Sequence, residues 1–113
     1  MRILEPYKNY FWDFYQSQKQ NVKSKIDYVF QIIISVKRIP VQFIKHLDEG
    51  IYEIRIEYSG NNYRIFCFFD DDNLLILLNG FQKKSQKTPV REIERAKKLR
   101  RNYYENKKSK NYK

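Results

Sequence analysis

Apolar positions along this chain change period, and the changes divide it into elements. Val22, Ile26, Val29, Ile33 and Val36 recur at intervals of four, three, four and three, with Lys23, Lys25 and Asp27 elsewhere on the wheel. That spacing predicts an amphipathic helix, stopped by Pro40 because the residue before a proline avoids helical geometry. Upstream, residues 2–5 are expected as a short strand. Residues 7–18 are expected as a helix with Tyr10, Phe11, Phe14 and Tyr15 at helical spacing. From Gly50 the period becomes two. Tyr52, Ile54, Ile56 and Tyr58 alternate with Glu53, Arg55 and Glu57, giving a strand with one apolar and one charged face. Turn residues at 59–62 and 70–73 bracket a second strand over 63–69. Residues 74–81 are nearly all apolar, as in a central strand covered on both faces.

These three strands predict an antiparallel meander. Thr88 and Pro89 then read as the N-cap and first helical position of a last helix. Ile93, Ala96, Leu99 and Tyr103 supply its apolar edge. Residues 105–113 show no periodicity and are expected to form a basic, disordered tail. The expected architecture is α+β, in one domain over residues 1–104. A small antiparallel sheet, the N-terminal strand plus the meander, is packed by two N-terminal helices and a C-terminal helix.

Composition narrows the function. A single cysteine, Cys67, excludes an internal disulfide, and with one histidine, His46, it argues against a metal centre of His and Cys ligands. Apolar runs fall far short of the roughly 20 residues of a membrane span. Nothing at the start reads as a signal peptide, so a cytoplasmic protein without membrane, metal or cofactor is expected. Charge is uneven: residues 1–82 hold ten Lys and Arg against ten Asp and Glu, residues 83–113 thirteen against three. The net charge of +10 therefore lies wholly at the basic end, the electrostatic footprint of a nucleic-acid partner. Lys83, Lys84 and Lys87 follow directly on the apolar strand, which would hold them rigidly enough to address phosphate.

Taken in order, Gly50-Ile51-Tyr52-Glu53-Ile54-Arg55, Tyr63-Arg64-Ile65, Leu77-Leu78-Asn79-Gly80-Phe81-Gln82-Lys83-Lys84 and Lys87-Thr88-Pro89 closely resemble the HigB-like, phage-derived branch of the RelE/ParE superfamily of bacterial toxins. The likeness spans roughly residues 1–104. It implies the toxin of a type II toxin–antitoxin system, a ribosome-dependent endoribonuclease (mRNA interferase). Its implied partners are messenger RNA on the ribosome, with ribosomal RNA contacts, and a helix-turn-helix antitoxin. The alternatives are a non-catalytic gyrase inhibitor, as in the ParE branch, and an inactive RNA-binding protein of phage origin.

Metal-free RNA cleavage uses the substrate's own 2′-hydroxyl, so the protein must stabilise charge on the phosphate and move protons. Arg64 matches the arginine with which the superfamily holds the scissile phosphate, and a guanidinium fork suits that task. On the residues alone it reads first as a surface strand arginine paired with Glu53 or Glu57. Arg55 corresponds by position to a basic residue of the related RelE site. Glu53 is read as its orienting counter-ion, ahead of proton acceptor. Lys84 falls where a related branch has a catalytic arginine. Lys83 and Lys84, among other cations, are also candidates for acid–base work. Lys87, Phe81, Gln82 and Arg91 complete the RNA-contacting set, with Phe81 either stacking on a base or packing in the core. Tyr103 and Tyr104 are read as packing residues, His46 as a solvated loop histidine, and Cys67 as core.

Overall fold

The computed structural model describes residues 1–111. Its elements are β1 (Ile3–Pro6), α1 (Tyr10–Gln16), α2 (Gln20–Ser35), β2 (Ile44–Asp48), β3 (Ile51–Tyr58), β4 (Asn61–Asp71), β5 (Leu74–Lys83) and α3 (Val90–Asn111). The strands form one sheet in the order β1-β5-β4-β3-β2. β1 runs parallel to β5 and every other pair is antiparallel, so the sheet is mixed rather than purely antiparallel. The α+β class and the expected meander stand; the sheet has one strand more than the sequence pattern gave.

Periodicity becomes packing on both faces. The α2 stripe of Val22, Ile26, Val29 and Ile33, with Phe11 and Phe14 of α1, covers Ile54, Ile56, Tyr63, Ile65, Cys67, Leu75 and Leu77. On the opposite face, Ala96 and Leu99 of α3 cover Ile51, Phe66, Phe68, Ile76 and Leu78. Central β4 and β5 are thus apolar on both sides, which is why β5 reads as a continuous apolar run. α1 starts later than expected because Lys8 has φ 55, a left-handed turn that no helix accommodates. Arg2 reaches across to accept the end of α2, its guanidinium donating to the carbonyls of Ile33, Val36 and Lys37 and satisfying groups a helix C-terminus leaves free.

A bulge sets the side-chain directions at the end of β5. Ile65 pairs with Gly80 while Cys67 pairs with Leu77, so β5 carries one extra residue there. Gly80 lies under α1: a side chain there would meet the Phe14 ring at 2.5 Å. Only glycine lets α1 settle this close to the sheet.

Two expectations are corrected. Residues 46–50, read as a connection, belong largely to the edge strand β2, which turns into β3 at Gly50 with φ 76. Lys45 and His46 are exposed and a bulge breaks the register between His46 and Asp48, so no clean alternation marks this strand. The expected disordered tail is helical through Asn111; residues 112–113 lie outside those described. Tertiary contacts hold the last turns. Tyr103 donates to Asp70 at 2.6 Å, Lys107 pairs with the same carboxylate at 2.7 Å, and the Asn106 amide donates to Tyr7 at 2.7 Å.

This tether is titratable. The Lys107 ammonium and the Tyr103 hydroxyl hold the Asp70 carboxyl below its usual range. Burial, then Asp70, pushes Tyr103 up, and Asp70 raises Lys107. Asp70 therefore contributes stability above the ordinary carboxylate value of about 3.9, lost as pH falls through its lowered folded value. Tyr103 and Lys107 contribute below their ordinary values of about 10, lost as pH rises through their raised ones. Amide exchange of residues 103–109 is expected to be slow from about pH 5 to 9, and to accelerate towards both acid and alkali relative to Ala96 and Leu99. A flat profile would mean that the tether carries no helix stability.

Candidate active site

Alternation along paired strands sorts the candidate residues by face. Arg55 of β3 sits directly opposite Arg64 of β4, and Glu53 opposite Phe66. Arg64 in turn faces Phe81 of β5, and Asn62 faces Lys83. Phe66 belongs to the core beneath α3, so Glu53, Arg55, Arg64, Phe81 and Lys83 share the α3 side of the sheet. β2 adds Lys45, the register partner of Glu53. Arg64 and Lys83 are diagonal neighbours, a relation that puts backbones about 7–8 Å apart and within reach of long side chains.

The charges are arranged around one carboxylate. Glu53 Oε1 lies 3.6 Å from Arg64 Nε and 4.0 Å from Arg55 Nε, while Glu53 Oε2 accepts from the Thr88 hydroxyl at 3.4 Å. Glu53 is 3% exposed and Arg64 2%, whereas the Arg55 side chain keeps 31% of its surface. Two guanidiniums directly across a ladder repel, and the buried carboxylate compensates them. Arg64 also donates from Nη1 to the Tyr63 carbonyl at 3.0 Å, and neither arginine's Nε has a hydrogen-bond partner. Burial first, and the Arg55 charge next, push the Arg64 guanidinium below its usual range against the pull of Glu53. Arginine still stays protonated in such a setting.

The reading of Arg64 as an exposed strand residue is thereby corrected. It pairs with Glu53 but lies inside, 2% exposed, on the face of the sheet that Phe66 and Phe81 share with α3. Arg55 is the accessible member of the pair, with Arg64 as fixed charge behind it. Arg55 also lines a shallow cleft with Lys25, Gln42, Phe43 and Glu57.

At the end of β5, Lys83 is half-buried and Lys84 and Lys87 are exposed. Among the described residues neither Lys84 nor Lys87 forms an ion pair. Ser85 Oγ donates to the Lys87 carbonyl at 2.9 Å and shapes this loop. A polar cleft of about 710 Å³ opens beside it, lined by Gly60, Asn61, Asn62, Gln82, Lys83, Lys84, Ser85 and Gln86. Arg91 is exposed on the first turn of α3.

Other candidates fall elsewhere. Gln82 pairs with Tyr63 and so belongs to the α1–α2 side of the sheet, where it also lines a cleft with Gln18, Lys19 and Tyr58. Phe81 packs edge-on against Phe66 at 5.3 Å, a core contact. His46 pairs with Tyr52, ring to ring at 5.0 Å, on the face away from Arg64. Tyr103 is committed to Asp70, and Tyr104 stacks with Arg100. Cys67 is buried, its thiol pushed far up by burial. Two residues near Glu53 escaped sequence reasoning. Thr88 reads as a helix cap, but its hydroxyl goes to Glu53, and the Pro89 carbonyl takes the first helix bonds from Glu92 and Ile93. Lys45 lies in the strand read as a loop.

Among the described residues no group of three or more His, Cys, Asp or Glu is placed to hold a metal ion. None of their helices is long and apolar enough to cross a membrane. Against known proteins, residues 13–101 match a family model described as phage derived protein Gp49-like. No curated protein matches the chain.

Proposed function

This chain belongs to the Gp49-like family of phage-derived proteins, a RelE-like toxin family, and we propose that it is a HigB-like, ribosome-dependent endoribonuclease. The observation that carries this reading is the Arg55–Arg64 pair, facing across β3 and β4 with Glu53 between and Lys83 diagonal to Arg64 on the same face. In the proposed reaction the 2′-hydroxyl attacks the adjacent phosphorus, and the bond from phosphorus to the 5′-oxygen breaks. The products are a 2′,3′-cyclic phosphate and a 5′-hydroxyl. Negative charge grows on the non-bridging oxygens, and Arg55, partly exposed and forked, donates to them. Arg64 adds fixed positive charge from behind, and Lys83 and Lys84 approach the phosphate from the strand end. Glu53 is buried and engaged by three partners, which suits a counter-ion better than a base. With few acid–base groups at hand, most of the rate comes from holding the 2′-hydroxyl in line, and the ribosome supplies that geometry to the message. A helix-turn-helix antitoxin completes the proposed system, which needs neither membrane nor metal.

Expression in a bacterium followed by mapping of message 5′ ends tests the reading. Arrested translation with new 5′ ends inside messages supports it. DNA breakage with intact messages would make the chain a gyrase inhibitor, and undisturbed growth an inactive RNA binder. The lysines separate chemistry from attraction. Lys84→Ala is expected to slow cleavage on ribosomes by about 10–100-fold with little change in binding. Lys87→Ala should leave the bound rate alone and reduce the salt dependence of binding by roughly one counter-ion. Equal effects of both on rate and affinity would reduce the cluster to an electrostatic patch.

A further inference from the structure

We infer that Thr88 is a positioning residue, its hydroxyl latching the lysine loop to the buried carboxylate between the two arginines. The inference rests on the RNA-cleavage reading for its catalytic consequence, and on geometry alone for the latch itself. Lys84 and Lys87 stand on a loop of exposed residues, 84–87, between the end of β5 and α3. Within that loop the side-chain bond formed is local, from Ser85 to Lys87; it shapes the loop without fixing it to the sheet. The side-chain bond that joins the loop's far end to the sheet runs from Thr88 Oγ1 to Glu53 Oε2, 3.4 Å across 35 residues of sequence.

Glu53 is a suitable anchor. It is 3% exposed, on β3 beside the edge strand β2, and its other oxygen lies between Arg55 and Arg64. One carboxylate thus addresses the arginines with Oε1 and the lysine loop with Oε2. The spacing between the two sets of cations then follows from a rigid group rather than from loop drift. A buried carboxylate needs its donors; the Thr88 bond, at 3.4 Å, is long for a hydroxyl, and the arginines keep Glu53 in place. A capping role for Thr88 is not what this geometry shows: its oxygen points to the sheet, and the helix opens on the Pro89 carbonyl.

Two variants test the latch. Thr88→Val keeps shape and removes the hydroxyl, Thr88→Ser restores it, and the wild type runs beside them. Thermal denaturation first checks that each is folded. In Thr88→Val, the backbone order parameters of Lys84, Ser85, Gln86 and Lys87 are expected to fall while those of β4 and of Ala96 and Leu99 stay unchanged. On message-programmed ribosomes its kcat should fall by about 10–100-fold, the loss expected of a misplacement near 1 Å, with KM nearly constant. Thr88→Ser should recover both readouts. Wild-type order parameters in Thr88→Val overturn the latch, and so does a Thr88→Ser variant as impaired as valine. A normal kcat in Thr88→Val with a loosened loop overturns the positioning role. If the wild type itself cuts no message, the cleavage reading fails and the positioning role with it, while the order parameters still decide the latch.

Discussion

Arg64→Lys is expected to abolish growth arrest while the protein still folds. Lysine keeps the positive charge beside Glu53, so the buried pair survives in kind, but it loses the planar fork and the delocalised charge. An ammonium of different shape and reach resets Glu53 and, through it, Arg55, so message cleavage should fall by about 100-fold, the loss expected of a misplacement near 1 Å at the donor. Arg64→Ala gives a less clean answer. Arg64 is 2% exposed and lies nearer to Glu53 than Arg55 does, so truncation strands a buried carboxylate and lowers stability together with activity. Message 5′-end counts after a short induction, alongside circular dichroism of the purified variant, separate the two effects. A folded Arg64→Lys protein that still arrests growth would remove Arg64 from the site.

The other large effect belongs to Glu53. Glu53→Ala leaves Arg64 buried without its counter-charge, directly opposite Arg55 on the ladder. Breaking a buried ion pair from one side typically costs about 3–5 kcal/mol, which in a domain of this size corresponds to a midpoint lower by roughly 10–25 °C. The loss should be smaller in Glu53→Gln, which keeps an acceptor for Thr88 and a polar neighbour for both guanidiniums. Urea denaturation of the two variants measures the difference. A Glu53→Ala protein within about 1 kcal/mol of wild type would mean that water already solvates both arginines and that no buried network exists.

Much of this was legible in the sequence because its cause is local. The helical stripe of α2 buries four of the five residues its spacing selected, Val22, Ile26, Val29 and Ile33; the fifth, Val36, is already extended because the helix ends at Ser35, ahead of Pro40. The alternation of Glu53 and Arg55 put both on one face of β3. The charge asymmetry drew attention to the lysines after β5. What failed did so for identifiable reasons. β2 is an edge strand with exposed residues, so packing leaves no stripe in its sequence. The last turns of α3 are polar and basic, and they are held by Asp70 and Tyr7, partners 33 or more residues away. Thr88 has the local chemistry of a cap, and only the nearby Glu53 redirects it.

The sequence by itself determined every element but β2 and the last turns of α3, the two-sided apolar core and the placing of charge at one end of the chain, because propensity and period act over a few residues. The tertiary structure alone decided which charges are buried and which faces they share. Strand alternation has a period of two, so the pairing register and one extra residue in β5 put Phe81 and Lys83 beside Arg64 and turn Gln82 away. The same pairing puts Phe66 and Phe81 on the face of Arg64, which is buried, while Arg55 stays partly exposed. Which arginine meets solvent is fixed by contacts between residues far apart in the chain, and no local pattern encodes them.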